Sequence, residues 1–265
     1  MNLPFYKYQG TGNDFVMADN REGKFTDVFT QKQIAFLCNR RFGIGADGFI
    51  LLSPSSSYDF RMVYFNSDGR ESTMCGNGGR CLVAFAHDLG IRREVYRFDA
   101  VDGVHHATIG NGIVSLEMIQ PQGFQQLAET TFWLNTGSPH YVHFSQKPVA
   151  GIDVFGEGRT IRYSERFTDI GGTNVNFVNV VDAGHLKVRT YERGVEDETL
   201  SCGTGVTACA YAHLTTHNQG SAISKVAVET PGGNLAVEVK NIGTAEEQVF
   251  LQGPATFVFE GEINI

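Results

Sequence analysis

Long apolar runs are scarce in this 265-residue chain, and Cys81–Ala86 is among the longest. A helix needs roughly 20 apolar residues to cross a bilayer, so no membrane partner is expected. Cysteine is sparse too. The five residues include no Cys-x-x-Cys pair and no cluster at metal-ligand spacing, which argues against a dithiol redox motif and against any structural zinc. No basic stripe is present: Lys and Arg number 21 against 29 Asp and Glu, a formal net charge of −8, and that balance argues against a nucleic-acid groove. Met1–Asn20 lacks an uninterrupted apolar core and carries Lys7, Asp14 and Asp19, so no secretory leader is expected. An odd cysteine count without secretory context reads as reduced thiols in the cytoplasm.

Hydrophobic residues make up 42% and charged residues 19%, an ordinary globular composition. The length fits one large domain or two ordinary ones. Glycine is frequent, at 31 residues, which suits tight turns and backbone-lined sites. The clearest signal is a duplication. Tyr64-Phe65-Asn66, Glu71 and Met74-Cys75-Gly76-Asn77-Gly78 are answered by Tyr191-Glu192-Arg193, Glu198 and Ser201-Cys202-Gly203-Thr204-Gly205. In both copies Tyr precedes Cys by 11 residues and Glu precedes it by 4, and the cysteines lie 127 apart. Thr11-Gly12 with Phe15-Val16 is echoed at about the same offset by Thr136-Gly137 with Tyr141-Val142. Such self-similarity predicts two homologous halves, with the Gln/Pro/Gly-rich stretch Gln120–Gln126 as their boundary. The expected fold is α/β (α+β): two pseudo-symmetric lobes, each a curved mixed sheet with a central helix, and a cleft between them.

Alternating or β-branched segments predict strands over Phe49–Leu52, Phe60–Phe65, Val114–Ile119, Val226–Glu229, Leu235–Val239 and Phe257–Glu260. One helix is expected after each cysteine motif. The first covers Gly78–Leu89 and stops at Gly90; the second covers Val206–His217 and stops near Asn218-Gln219-Gly220. A third covers Gln31–Asn39.

Cys75 and Cys202 each open a Cys-Gly-x-Gly turn leading into a helix. Glycine permits a tight turn and lets bare N–H groups approach a ligand. The unpaired N–H groups and the helix dipole favour an anion there and lower a thiol's pKa. Two such sites on opposite faces of a substrate could hold one carboxylate and place a thiol on either side of the attached carbon, as stereoinversion requires. A buried structural role is the competing reading for one cysteine, and a matched pair weighs against it. Cys38, Cys81 and Cys209 read as core packing.

The chain resembles the diaminopimelate epimerases, pyridoxal-independent racemases of the proline-racemase type. The resemblance lies in Gly10-Thr11-Gly12-Asn13-Asp14-Phe15, Phe42-Gly43-Ile44-Gly45-Ala46-Asp47-Gly48, Phe65-Asn66-Ser67-Asp68-Gly69 and Met74-Cys75-Gly76-Asn77-Gly78-Gly79-Arg80-Cys81. It continues through Pro139-His140, Asn174-Val175-Asn176, Tyr191-Glu192-Arg193-Gly194 and Cys202-Gly203-Thr204-Gly205, in the family's order across almost the whole chain. Related proline-type racemases carry Cys-Gly-His where Cys75-Gly76-Asn77 stands. The resemblance implies two barrel-like lobes, 1–119 plus 253–265 carrying Cys75 and 120–252 carrying Cys202. It also implies a cytoplasmic homodimer, no cofactor, and conversion of LL-2,6-diaminopimelate to the meso form in lysine and cell-wall precursor synthesis. One cysteine, as thiolate, removes the α-proton and the other, as thiol, returns a proton; Cys75 donates and Cys202 accepts in one direction. Backbone N–H groups of Gly76, Asn77, Gly203 and Thr204 match the α-carboxylate positions, which is oxyanion-hole logic. Asn13, Asn66 and Asn174 match substrate-binding asparagines, Arg193 the guanidinium for the remote carboxylate, and His140 and Glu192 residues that orient or tune the thiols. Two departures stand out: Ser138 where many members have Asn, and Gly48 where some have Gln.

Three other readings compete. The first is epimerisation of another amino acid, such as proline or hydroxyproline. The second is a thiol redox protein pairing Cys75 with Cys202, against which the missing Cys-x-x-Cys argues. The third is a non-catalytic amino-acid-binding protein, which would need the glycine turns but not the cysteines.

Overall fold

The computed structural model describes residues 1–72, 74–217 and 224–265. It is a mixed α/β fold in which two compact units share the chain: Met1–Leu116 with Gly253–Ile265, and Glu117–Gln252.

In the first unit the elements are β1 (Asn2–Gly10), β2 (Asn13–Asp19), α1 (Gln31–Cys38), β3 (Gly48–Ser53), β4 (Phe60–Asn66), α2 (Gly76–Asp88), β5 (Tyr96–Ala100), β6 (Gly103–Gly110) and β7 (Ile113–Met118). The second unit holds β8 (Gln122–Ala128), β9 (Thr131–Asn135), β10 (Pro139–Phe144), α3 (Val154–Arg162), β11 (Asn174–Asp182), β12 (His185–Glu192), β13 (Asp197–Thr199), α4 (Gly203–His217), β14 (Lys225–Thr230), β15 (Gly233–Lys240) and β16 (Gln248–Pro254). Last comes β17 (Thr256–Asn264), which pairs with β1.

The duplication is written in the strand pairing. The first unit runs β17-β1-β2-β3-β4-β5-β6-β7, with β2–β3 and β4–β5 parallel and the rest antiparallel. The second runs β8-β9-β10-β11-β12-β14-β15-β16, with β10–β11 and β12–β14 parallel and the rest antiparallel. Each parallel step needs a crossover, and the four helices supply them: α1 and α2 in one unit, α3 and α4 in the other.

The second crossover helix is the central one in each unit. Every residue of α2 from Gly76 to Ala86 is buried, and the helix touches β1, β2, β3, β6 and β17. A helix buried on all sides has no solvent face to offer. Helix α4 repeats this with Ala208, Cys209, Ala210, Ala212 and Leu214 buried, against β9, β10, β11, β12, β14 and β15. The other crossovers are two-sided. Helix α1 lays Ile34, Leu37 and Cys38 on a cluster with Phe49 and Leu51, and α3 sets Val154 against Val175, Phe177 and Tyr191.

The helix ends follow local chemistry. Thr30 and Gln33 form a reciprocal capping box at the start of α1. Gly90, at φ +88°, closes α2: its N–H reaches the His87 carbonyl and that of Ile91 reaches Ala86, the paired bonds of a Schellman motif. Both central helices begin earlier than the sequence suggested, at Gly76 and Gly203, because glycine's weak helix propensity hides a first turn that the cysteine carbonyls close. The expected stop at Asn218-Gln219-Gly220 lies outside the described residues. The Gln120–Gln126 stretch, expected as a boundary, is mostly strand β8. Its register shifts beside Gly123, at φ +66°, and its side chains are largely exposed, which suits glutamine. Helix α3 was not foreseen, although Asp153 caps it through the Gly156 N–H.

Two glycines with left-handed backbones separate strain from clash. A Cβ on Gly90 (φ +88°) would meet nothing within 4 Å, whereas one on Gly69 (φ +81°) would stand 2.1 Å from the Gln31 carbonyl oxygen. Gly90→Ala should cost about 1–2 kcal/mol in urea unfolding, the left-handed penalty alone. Gly69→Ala should cost more than about 3 kcal/mol, because backbone must also move. Equal costs would mean that the close approach at Gly69 is not structural.

Candidate active site

Cys75 occupies the N-cap of α2, and its carbonyl accepts from the Gly79 N–H at 2.7 Å. Cys202 precedes α4 in the same way, its carbonyl accepting from Val206 N–H at 2.9 Å. No acidic side chain stands in the first turn of either helix. The first-turn N–H groups, among them those of Gly76, Asn77, Gly203 and Thr204, therefore form an anion-attracting end at each cysteine. Glycine makes the approach possible: a Cβ on Gly79 would come within 3.0 Å of Leu116, and one on Gly205 within 2.4 Å of Asn176 Oδ1.

Around Cys75 the first unit assembles Asn13, Asn77 and Arg80. The β1–β2 turn places Thr11 and Gly12 at φ 53° and 83° and swings Asn13 toward the helix start. Asn13 Oδ1 accepts from Cys75 Sγ at 3.6 Å and from Asn77 Nδ2 at 3.2 Å, while its Nδ2 donates to Asp47 Oδ2 at 2.7 Å. A carboxylate only accepts, so Asp47 fixes which end of the Asn13 amide faces the sulfur. Behind the turn, Lys7 and Arg40 pair with Asp14 at 2.7 and 2.6 Å. Burial works to raise the Asp14 carboxyl, but the Arg40 and Lys7 contacts hold it at about 2. Arg80 is fully buried; it donates to Asn77 Oδ1 (3.1 Å), Gly76 O (3.4 Å) and Thr11 Oγ1 (3.3 Å). Asn66 lies apart, exposed at the end of β4, and among the described residues no hydrogen bond ties its side chain to this cluster.

The second unit builds a different surround. His140 Nε2 lies 3.0 Å from Thr204 Oγ1, and Thr204 Oγ1 lies 3.5 Å from Cys202 Sγ. Asn176 Nδ2 reaches His140 Nδ1 at 3.2 Å and the Tyr141 carbonyl at 2.9 Å. Burial, with Arg193 adding to it, pushes His140 down to about 3 from an ordinary 6.5, so the ring is neutral at neutral pH. A second group forms on the same face of β11, two residues back. Asn174 donates to Ser138 Oγ (2.8 Å) and Pro139 O (2.9 Å) and accepts from the Arg193 N–H (2.8 Å). Among the described residues the hydrogen bonds of the Arg193 guanidinium are long, 3.5 Å to Ile170 O and 3.5 Å to Ser138 Oγ, which leaves its fork able to take a carboxylate. Glu192 accepts from Thr199 Oγ1 at 2.8 Å.

Sequence reasoning passed over Arg80, Asp47 and Asn176, which all stand inside the motifs it quoted, and Thr190, whose hydroxyl donates to Asn176 Oδ1 at 2.9 Å. Period-2 alternation along β11, which puts 174 and 176 on one face, was the available signal for Asn176. Gly48 proves sterically fixed in this chain: a Cβ there would lie 2.5 Å from the Tyr64 ring. Cys38 and Cys81 are buried and pushed up to about 12 by desolvation, and Cys209 higher still, which keeps them inert thiols.

The family model described as Diaminopimelate epimerase matches residues 5–115 and 132–258. A diaminopimelate epimerase of Flavobacterium psychrophilum is 49% identical over 265 residues, covering 98% of this chain and 100% of that protein. One from Chlorobaculum tepidum is 42% identical over 264 residues, covering 97% and 99%. Among solved structures, a phenazine biosynthesis protein of the PhzF family from Bacillus anthracis aligns with a TM-score of 0.77 at 17% identity over 100% of both chains, a likeness of fold.

His140 also sets a pH dependence. Its folded pKa, about 3, lies below the ordinary 6.5, so between these values the unfolded chain binds the extra proton and stability falls as pH falls. At about 1.4 kcal/mol per pH unit, wild type should lose about 2 kcal/mol from this group between pH 7 and pH 5. Urea unfolding of wild type and His140→Gln should show that slope difference. Parallel curves would mean the ring is not held neutral.

Proposed function

The chain belongs to the diaminopimelate epimerase family, and from that premise we propose that it interconverts LL- and meso-2,6-diaminopimelate through its two helix-capping cysteines. The observation that carries this reading is the repeated placement of Cys75 and Cys202, each at the glycine-led start of a buried central helix in a duplicated fold. Racemisation without an electron sink needs a base, an acid and stabilisation of the carbanion. One sulfur, as thiolate, takes the α-proton while the other, as thiol, gives a proton to the opposite face; the reverse reaction swaps them. Cys202 accepts and Cys75 donates in one direction.

N–H groups of Gly76 and Asn77 and of Gly203 and Thr204 hydrogen-bond the α-carboxylate as negative charge develops on it, where fixed donors act most strongly. Arg193 takes the remote carboxylate as a bidentate fork, with Asn174 fixing its backbone and Ser138 beside it; Asn13 and Asn66 bind the substrate's polar ends. His140 and Glu192 tune the thiols. The reaction needs no cofactor. The enzyme supplies lysine and cell-wall precursor synthesis in the cytoplasm, whose reducing conditions keep a thiol and thiolate from oxidising. It acts as a homodimer, a state supported by half-exposed Phe257, Val258 and Phe259 in a row on β17.

The test is incubation with LL-diaminopimelate in D2O with reductant and no added cofactor, followed by NMR. Meso product carrying deuterium at the inverted carbon is expected, and inversion of proline instead would reassign the substrate. Cys75→Ser and Cys202→Ser should each lower inversion roughly a thousandfold, within the range of lost general acid–base catalysis. A variant that keeps near-full turnover would remove that cysteine from the mechanism.

A further inference from the structure

The hydrogen bonds behind Cys202 have a polarity that can be read atom by atom. The Tyr141 carbonyl can only accept, so the Asn176 atom 2.9 Å away must be its NH2 group. The amide oxygen then faces Thr190, whose hydroxyl donates to it at 2.9 Å. With one amide hydrogen on Tyr141, the other points at His140 Nδ1, 3.2 Å away, and Nδ1 must accept. A neutral imidazole that accepts at Nδ1 carries its hydrogen on Nε2. That hydrogen points at Thr204 Oγ1, 3.0 Å away. An oxygen already receiving a donor there turns its own hydrogen elsewhere, and Cys202 Sγ lies at 3.5 Å.

We propose that Asn176, clamped by Thr190 and the Tyr141 carbonyl, is a positioning residue that locks His140 in the Nε2–H tautomer and so turns the Thr204 hydroxyl into a hydrogen-bond donor to the Cys202 sulfur. Donors favour the thiolate over the thiol, and Cys202 thereby gains the base form on the reading of function given above. The network is rigid. Asn176 and His140 are fully buried and Thr190 is 3% exposed. Helix α4 rests on the amide itself, since a Cβ on Gly205 would come within 2.4 Å of Asn176 Oδ1. The Thr204 backbone is fixed by Thr136, whose hydroxyl donates to its carbonyl at 2.9 Å. The charged group acting on the ring is Arg193, which also disfavours imidazolium. The first unit has the opposite polarity: Asn13 Oδ1 offers Cys75 an acceptor.

Two measurements test this without turnover, so their outcome is separable from that of the inversion assay. The first is 15N NMR of the ring nitrogens in histidine-labelled protein, with His140→Gln to assign the signals. A neutral Nε2–H ring at pH 7 is expected; the Nδ1–H tautomer or an imidazolium overturns the proposal. The second is the pH profile of iodoacetamide alkylation, resolved by peptide so that Cys75 serves as internal reference. Thr204→Val and Asn176→Leu should slow Cys202 alkylation roughly three- to tenfold at fixed pH by moving its midpoint upward, the scale of one ordinary hydrogen bond. Thr204→Ser should restore it. Thr190→Val, which keeps side-chain shape, should move Cys202 in the same direction by less and carries the test if Asn176→Leu does not fold. An unmoved Cys202 midpoint, or equal movement of Cys75, overturns the proposal.

Discussion

Both units depend on a helix that begins almost without side chains inside the sheet that surrounds it. In α2 the first turn is Gly76-Asn77-Gly78-Gly79, and in α4 it is Gly203-Thr204-Gly205. Glycine in a helix costs about 1 kcal/mol relative to alanine. Here alanine would cost more, because Cβ atoms on Gly78, Gly79 and Gly205 would stand 3.1, 3.0 and 2.4 Å from Ile50, Leu116 and Asn176. Full burial of Leu82, Phe85 and their neighbours farther along the helix, at about 1.5–3 kcal/mol for each large side chain, holds a segment that its own propensity would not. The turn left bare for packing is also the turn whose N–H groups can meet a ligand. Packing and chemistry make the same demand on the same residues.

The duplication reaches the backbone more completely than the side chains. Strand order, parallel steps and crossover helices repeat in full, yet the groups behind the two cysteines differ. Five residues into the first motif stands Arg80, a buried guanidinium whose Nε has no hydrogen-bond partner among the described residues and whose charge acts on the Cys81 and Cys75 thiols. At the matching place in the second motif is Thr207, neutral, its hydroxyl spent on the Gly203 carbonyl at 2.9 Å. Where Asn13 offers the first sulfur an acceptor, Thr204 faces the second with a hydroxyl backed by a neutral histidine. One ancestral frame has been given two electrostatic environments.

The cysteine pair, its glycine turns and the twofold repeat were legible because they are local and repeated at one offset. The Schellman end at Gly90 was legible for the same reason, since cap chemistry sits within a few residues. Helix α3 was not, because its apolar face is short and two glycines, Gly156 and Gly158, interrupt it. Strand β8 was hidden by composition: glutamine, proline and glycine read as a boundary between halves until β9 supplies the hydrogen bonds. Arg80 and Asn176 stood in plain view within recognised motifs, but their roles are set by partners 69 and 14 residues away, Thr11 and Thr190. No window along the chain brings those together; the sheet does.

On the two-base reading proposed above, neither sulfur can settle too firmly in one protonation state, because each must be acid in one direction and base in the other. Cys75 meets this with opposed influences. The charge of Arg80, which forms no ion pair among the described residues, favours an anion at the helix start, while the Asn13 oxygen, oriented by Asp47, favours a sulfur that still carries its proton. Nearby charges largely balance, since Lys7 and Arg40 are matched by Asp14 and Asp47. Cys202 is handled by weaker means, one hydroxyl donor and a buried imidazole that stays neutral. A protonated histidine there would hold the thiolate too tightly to release it as a thiol, and an unlocked one could turn the Thr204 hydroxyl away. On that reading, deep burial of His140 is a requirement of reversibility, and the stability lost on acidification is its consequence.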